Sequence, residues 1–329
     1  MILRGIDYGP VWGASGVQGI FGEGYSFHKA FRRFIPGFSF RGMTFVAKTV
    51  TAKKNDGNLP LKADGLTLEE RVPRCIVVKP FKAAMLNAVG LSNAGAHFYL
   101  EKRIWQKLDQ PFCLSFMGIA ETPEGRLREA RIFATELKQW ISEFKAPVAL
   151  QANKSCPNVN KDTREIFEEA FEESKILADI GIPLIYKFNV LISPQRVREF
   201  MDNPNCDGVC VSNTIPYGQF PDKIDWAGLF GSVSESPLIK RGFKQAGGLS
   251  GAPIFPIVLD WCERFGKLNP TKPWIAGGGI IRPQDAKILK IRSGASAISL
   301  GSIATLRPFR LGPTIKLLHE LDNRPYPSK

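Results

Sequence analysis

The hexapeptide Asn153-Lys154-Ser155-Cys156-Pro157-Asn158 holds the most chemically specific residues of the chain. A cysteine thiol works as a base or nucleophile in proportion to its thiolate fraction and its access. The two asparagines on either side supply uncharged donors and acceptors, which suit a polar, planar ligand. The same residues also describe a buried structural cysteine beside a turn-forming Pro-Asn pair, since cysteine is commonly buried. Residue types alone leave both readings open.

Two further features point to an anion. Lys48 and Lys187 each stand inside an apolar, β-branched run, where a charge is costly unless a partner offsets it. A phosphate or carboxylate ligand would serve, although a lysine snorkelling from a strand edge is the alternative. Near the C-terminus, Gly277-Gly278-Gly279 and Gly301-Ser302 each close an apolar run just before a helix-period segment. Backbone N–H groups and helix N-termini at such places cradle phosphates, while isolated glycine runs also serve as plain turns. Asn213-Thr214 adds polar groups after another apolar run.

Positioning these groups takes a framework, and the pattern supplies one. Short apolar runs at 11–16, 44–51, 112–118, 148–153, 184–189, 208–212, 274–278 and 297–301 read as eight strands. Their near-continuous apolar character suits parallel strands covered on both faces. Helix-period stretches lie between them at 124–144, 163–179 and 283–293, and Pro194 and Pro283 sit where a first helical turn tolerates proline. Eightfold strand–helix alternation predicts an α/β fold, a (β/α)8 TIM barrel; a doubly wound open sheet is the alternative. The motifs then fall at strand C-terminal ends, where barrel enzymes gather catalytic groups, and the glycines follow strands seven and eight, the usual phosphate position. About sixty residues separate strands two and three, and likewise six and seven, lengths that build active-site walls and lids. No linker or composition shift divides the chain, so residues 1–329 read as one domain.

Composition narrows the class. The net charge of +13 attracts anions, yet the cations are scattered, with short clusters such as Arg32-Arg33 and Lys53-Lys54, and this reads as a solvated basic surface rather than a nucleic-acid stripe. Six cysteines form no CxxC pair, which argues against zinc ribbons and thioredoxin-like sites. Free thiols fit a reducing cytoplasm. The start lacks a signal peptide's apolar stretch, and no apolar run approaches the roughly 18 residues of a membrane span.

Nine segments then resemble class 1 dihydroorotate dehydrogenases, in the family's order from about Val11 to Leu311: GASG (13–16), VAKTVT (46–51), MLNAVGLSNAG (85–95), NKSCPNV (153–159), YKFN (186–189), SNT (212–214), GGLSG (247–251), GGGI (277–280) and LGS (300–302). The resemblance implies an FMN-dependent oxidation of dihydroorotate to orotate in pyrimidine biosynthesis. Cys156 would take the C5 proton while C6 passes a hydride to flavin N5; cysteine rather than serine here marks class 1. Lys48, Asn87, Asn153, Asn158, Asn213 and Thr214, with backbone at Val89, Gly90 and Leu91, would hold the substrate. Ser15, Lys48, Thr49, Asn153, Lys187, Gly251, Gly278, Gly279, Gly301 and Ser302 would cradle FMN, with Lys187 stabilising negative charge on the reduced ring. Residues 158–163 would form a mobile loop over the site. No metal is implied. A homodimer is expected. The electron acceptor stays open between fumarate and a partner subunit carrying FAD and an iron–sulfur cluster, to which MLNAVGLSNAG is somewhat closer.

The sequence departs from the family at three places. Gln151 stands where an acid is usual, the stretch after Asn158 lacks a common glycine, and the segment 21–40, basic and aromatic, has an unfamiliar length. A related dihydropyrimidine or other cyclic-amide oxidoreductase is therefore the second reading. A tRNA dihydrouridine synthase shares an Asn-x-x-Cys-Pro motif and would suit the charge, but little chain remains after the eighth strand for its RNA-binding domain. A scaffold that binds flavin without catalysis would need the glycines but not Cys156.

Overall fold

The computed structural model describes residues 1–70, 72–154 and 163–326. Cys156 and Asn158 lie outside the described residues. In chain order the strands are β1 (Ile2–Leu3), β2 (Ile6–Asp7), β3 (Val11–Gly13), β4 (Ile76–Lys79), β5 (Ala84–Asn87), β6 (Phe112–Phe116) and β7 (Val148–Asn153). They continue with β8 (Leu184–Phe188), β9 (Gly208–Val211), β10 (Ile215–Pro216), β11 (Gly248–Gly251), β12 (Trp274–Gly277) and β13 (Ala297–Leu300).

Seven of these form one parallel sheet in the order β3-β13-β12-β9-β8-β7-β6. The gap between β3 and β6 is filled by residues 44–51. Thr44 bridges Trp12 of β3, while Val46 and Val50 bridge Cys113 and Phe116 of β6, all parallel. This closes the barrel, but it corrects the expectation of a continuous second strand. The Lys48 N–H donates to Gly19 O at 2.9 Å and the Gly16 N–H to Val46 O at 3.4 Å. The turn after β3 thus takes backbone partners that a regular ladder would have used, and only isolated bridges remain.

Side-chain alternation separates interior from exterior. Trp12, Val46, Cys113, Ala149, Ile185, Cys210, Ile275 and Ala297, one from each stave, share a buried cluster with Met1, Leu3 and Tyr8. The last three belong to or flank the β1–β2 hairpin, which caps the N-terminal end of the barrel. Alternate residues, among them Leu114, Leu150, Tyr186, Val209 and Ile298, pack outward in the larger core under the helices.

The helices expected at 124–144, 163–179 and 283–293 occur as Pro123–Trp140, Thr163–Ala178 and Pro283–Ser293. Thr122 caps the first by accepting from the Gly125 N–H at 3.1 Å, and Pro194 and Pro283 begin their helices as anticipated. A second sheet, antiparallel in the order β10-β11-β5-β4, was not anticipated. It is built from the two long insertions and forms a wall beside the C-terminal mouth.

Candidate active site

Two residues beyond the apolar layer, the barrel interior changes character. The positions that follow Val46, Cys113, Ala149, Ile185, Cys210 and Ala297 at a spacing of two are Lys48, Ser115, Gln151, Lys187, Ser212 and Ser299. A strand's period of two keeps them on the inner face, so the polarity switch marks where packed core ends and site begins. A cleft of about 840 Å³ opens there, and Lys48, Lys187, Ser212 and Ser299 line it.

Lys48 and Lys187 are the electrostatic centre. Among the described residues no carboxylate forms an ion pair with either. Burial holds the Lys48 ammonium down to about 8, while the nearby Cys75 weakly opposes the shift. The Lys48 Nζ donates to the Ser92 carbonyl. Lys187, 8% exposed, is likewise lowered by burial. Two buried cations that pair with no carboxylate among the described residues are complementary to an anionic ligand.

Around them the polar groups are held by local bonds. The Ser15 hydroxyl donates to Ala47 O at 2.9 Å and lies 2.9 Å from the Thr49 hydroxyl, itself 2.8 Å from that of Ser115. This chain leaves Thr49 to donate to Ser15 and Ser115 to donate to Thr49. Asn153, at the end of β7, accepts from Asn213 Nδ2 at 3.5 Å. The Asn213 Oδ1 accepts from the Thr214 N–H at 2.8 Å, and Asn189 Nδ2 donates to Thr214 O at 2.7 Å. Asn87 ends β5 and donates to Gly248 O at 3.4 Å. The turn at Val89, Gly90 and Leu91 is fixed by Asn55, whose amide donates to Gly90 O and Leu91 O at 2.7 and 3.0 Å.

The glycines make a close-fitting cradle. Gly279 has φ +77° and lies so near the first residue of the helix Phe255–Gly266 that a Cβ would come within 2.5 Å of the Phe255 N. Gly278, at φ +123°, and Gly301 with Ser302 complete that side of the cleft. Backbone pressed against a helix start, with a buried lysine nearby, fits a phosphate-bearing group.

The structure thus brings Ser15, Lys48, Thr49, Asn87, Val89, Gly90 and Leu91 to one cleft. Asn153, Lys187, Asn213, Thr214, Gly278, Gly279, Gly301 and Ser302 line it as well. It does not bring Gly251. There Ser250 lines the cleft, and Gly251 (φ +100°) serves packing, since a Cβ would meet Ala83 O at 2.1 Å.

Sequence reasoning missed an ionic cluster on the other side. Arg126 lines the cleft and grips Glu169 through Nε and Nη2, the Nε contact being 2.9 Å. Lys154 Nζ reaches both Glu169 and Glu173 at 2.9 Å. Burial pushes the Glu169 carboxyl up, but the Arg126 hydrogen bond and the Lys154 charge outweigh it and hold it at about 2. For the fully buried Glu173 the burial dominates and the carboxyl is raised despite Lys154. The available signal was Lys154 inside the cysteine motif with glutamates four apart on the next helix. Also missed were Tyr25 and His28, which reach the cleft from the N-cap and first turn of the helix Ser26–Phe34, and an apolar arm that includes Leu68, Val72, Ile76 and Val78.

With this geometry in hand, known proteins are informative. The family model described as dihydroorotate dehydrogenase matches residues 9–317. The catalytic subunit of dihydroorotate dehydrogenase B (NAD(+)) from Desulforamulus reducens is 28% identical over 256 residues, 74% of this chain and 75% of that protein. The protein of the same name from Endomicrobium trichonymphae is 26% identical over 313 residues, 92% of this chain and 84% of its own. The crystal structure of DHODH from Eimeria tenella, solved in complex with ferulenol, superposes with a TM-score of 0.63 at 18% identity, covering 98% of this chain and 85% of that one; at that identity the likeness speaks for the fold.

Proposed function

The chain belongs to the dihydroorotate dehydrogenase family, flavoprotein oxidoreductases acting on CH–CH donors, and from that premise we propose which residues carry the oxidation of dihydroorotate to orotate in pyrimidine biosynthesis. The observation that carries the assignment is that Lys48, Asn153, Lys187 and Asn213, from four different staves, meet in one cleft. Cys156 follows Asn153 by three residues.

The cofactor proposed is FMN, which supplies the two-electron acceptor for the reaction. Gly278, Gly279, Gly301 and Ser302 hold its phosphate, Ser15 and Thr49 hydrogen-bond its ring edge, and Lys187 provides buried positive charge against the ring. Lys48 holds the substrate carboxylate. Asn87, Asn153, Asn158, Asn213 and Thr214 hold the ring amides, and the Cys156 Sγ accepts the C5 proton. The C5–H is weakly acidic, so the base must be positioned and kept from bulk water.

The curated relatives are named catalytic subunits of NAD(+)-linked enzymes, which supports an electron-transfer partner subunit for this chain. We assign that partner FAD and an iron–sulfur cluster, and this chain a homodimeric core in the cytoplasm. No helix among the described residues is long and apolar enough to cross a membrane.

The test is anaerobic mixing of the yellow holoprotein with dihydroorotate while flavin absorbance is followed. Wild type bleaches. Cys156→Ala retains the flavin but bleaches roughly a hundredfold to ten-thousandfold more slowly, the span expected for loss of a general base. Equal rates would remove Cys156 from the mechanism, and a colourless protein that takes up no FMN would remove the whole assignment.

A further inference from the structure

Three exposed phenylalanines stand around the cleft, and each is flanked by cations. Phe81 is 100% exposed in the turn between β4 and β5, within Lys79-Pro80-Phe81-Lys82. Phe309 is 54% exposed within Arg307-Pro308-Phe309-Arg310. Phe34 is 74% exposed at the end of the helix Ser26–Phe34, directly after Arg32-Arg33. The first two tips repeat one pattern, cation-Pro-Phe-cation, in parts of the chain more than two hundred residues apart.

These tips are neighbours. Arg307 Nη1 donates to Pro80 O at 3.0 Å. The turn after the Phe34 helix abuts the helix after the Phe309 tip, because a Cβ on Gly312 would lie 2.6 Å from Gly37 O. The Phe34 helix lines the cleft through Phe27, and the elements just before the other two tips line it through Val78 and Thr305. On the helix, Phe27, Ala30 and Phe34 recur at three and four residues and form an outer apolar flank, with Lys29, Arg32 and Arg33 beside it and His28 turned inward.

Charge decides what such a rim meets. No aspartate or glutamate occurs in 24–55, 71–100 or 286–319, the stretches that carry the three tips. Exposed aromatic rings beside lysines and arginines, on stretches of chain that carry no carboxylate, match a surface whose outside is anionic and whose next layer is apolar. A protein partner would use the same rings and arginines, but three separate protruding tips do not make the flat, close-packed patch that such an interface needs.

We propose that the rim bearing Phe34, Phe81 and Phe309 docks the protein on an anionic lipid surface, with the cations among phosphate headgroups and the rings at the acyl boundary. This face is independent of the catalytic assignment above. It gives a task to the 21–40 segment and to part of the positive charge.

The experiment is co-sedimentation of the purified holoprotein with phosphatidylcholine vesicles and with phosphatidylcholine–phosphatidylglycerol vesicles, at low and high salt. Wild type is expected on the second kind only, and less at high salt. Phe34→Ser/Phe81→Ser/Phe309→Ser and Arg33→Glu/Lys82→Glu/Arg310→Glu, each checked for flavin content and melting temperature, should each lose about tenfold or more in partitioning. Absence of wild-type binding to the anionic vesicles overturns the proposal, and so does a triple phenylalanine variant that partitions like wild type. Competition with a single-stranded oligonucleotide completes the test. Displacement from vesicles by the oligonucleotide, lost with the three rings, would reassign the face to nucleic acid.

Discussion

Lys48 illustrates how a buried cation sets the operating range of a site. Its ammonium, held down to about 8 by burial, is charged in the free enzyme below that pH and neutral above it. A carboxylate ligand favours the charged form and raises the pKa on binding. The expected kcat/KM for dihydroorotate therefore falls as pH rises above about 8, whereas kcat, which reports the ligand-bound enzyme, is less affected. Lys48→Met should remove that alkaline fall and lower kcat/KM about ten- to hundredfold at neutral pH, the worth of a charge-assisted hydrogen bond. An alkaline limb that persists in Lys48→Met assigns it to another group. Much at this scale was legible beforehand, because a lysine inside an apolar run, or asparagines around a cysteine, contradict their surroundings. Arg126 and Glu169 gave no such contradiction. They meet from separate helices across forty-three residues, and nothing local in the sequence specifies that meeting.

At the scale of elements, Lys154 joins the end of β7 to the helix Thr163–Ala178, the two elements that flank the cysteine segment in the chain. Glu173 is 1% exposed, so removing Lys154 leaves a buried carboxylate short of a partner. Lys154→Met is expected to cost about 3–5 kcal/mol, and Lys154→Met/Glu173→Gln much less, because a buried pair is harmed most when one charge is left behind. Urea unfolding of these two holoproteins and of Glu173→Gln checks this; losses that simply add would show that the residues are not coupled. The staves could be read because each is a short, near-continuous apolar run. The sheet β10-β11-β5-β4 could not. Its strands are two to four residues long and β5 pairs with β11 across some 160 residues, so alternation does not announce it. The β4–β5 hairpin turns through Pro80–Lys82 without the glycine or asparagine that marks such turns. The 44–51 segment shows the reverse error. Its composition is that of a strand, but the turn after β3 competes for its backbone. The Phe34 helix escaped notice because it is only nine residues long and its phenylalanines are interspersed with Lys29, Arg32 and Arg33.

Across the whole molecule the barrel separates stability from chemistry. One end is sealed by the β1–β2 hairpin, where Met1, Leu3 and Tyr8 fill the space beneath Trp12 and Ile185. Arg4 clamps this hairpin to Asp207 through two contacts of 2.9 Å, and the buried amino terminus donates to Gly9 O at 2.9 Å. The other end carries the lysines, asparagines and glycines of the cleft. This division follows from the strands' common direction, which sends every C-terminal end to the same mouth. It makes Leu3, 2% exposed, a test of the whole arrangement. Leu3→Ala opens a cavity in close-packed surroundings and should cost about 2–5 kcal/mol. The apolar layer and the polar layer above it stand between that cavity and the cleft, so the rate of flavin reduction by dihydroorotate at 25 °C should stay within about twofold of wild type. Thermal unfolding and anaerobic flavin reduction on the same preparation measure both quantities. A stability loss accompanied by a comparable loss of rate would mean that the two ends of the barrel are coupled, and that the layer of inward side chains transmits strain rather than absorbing it.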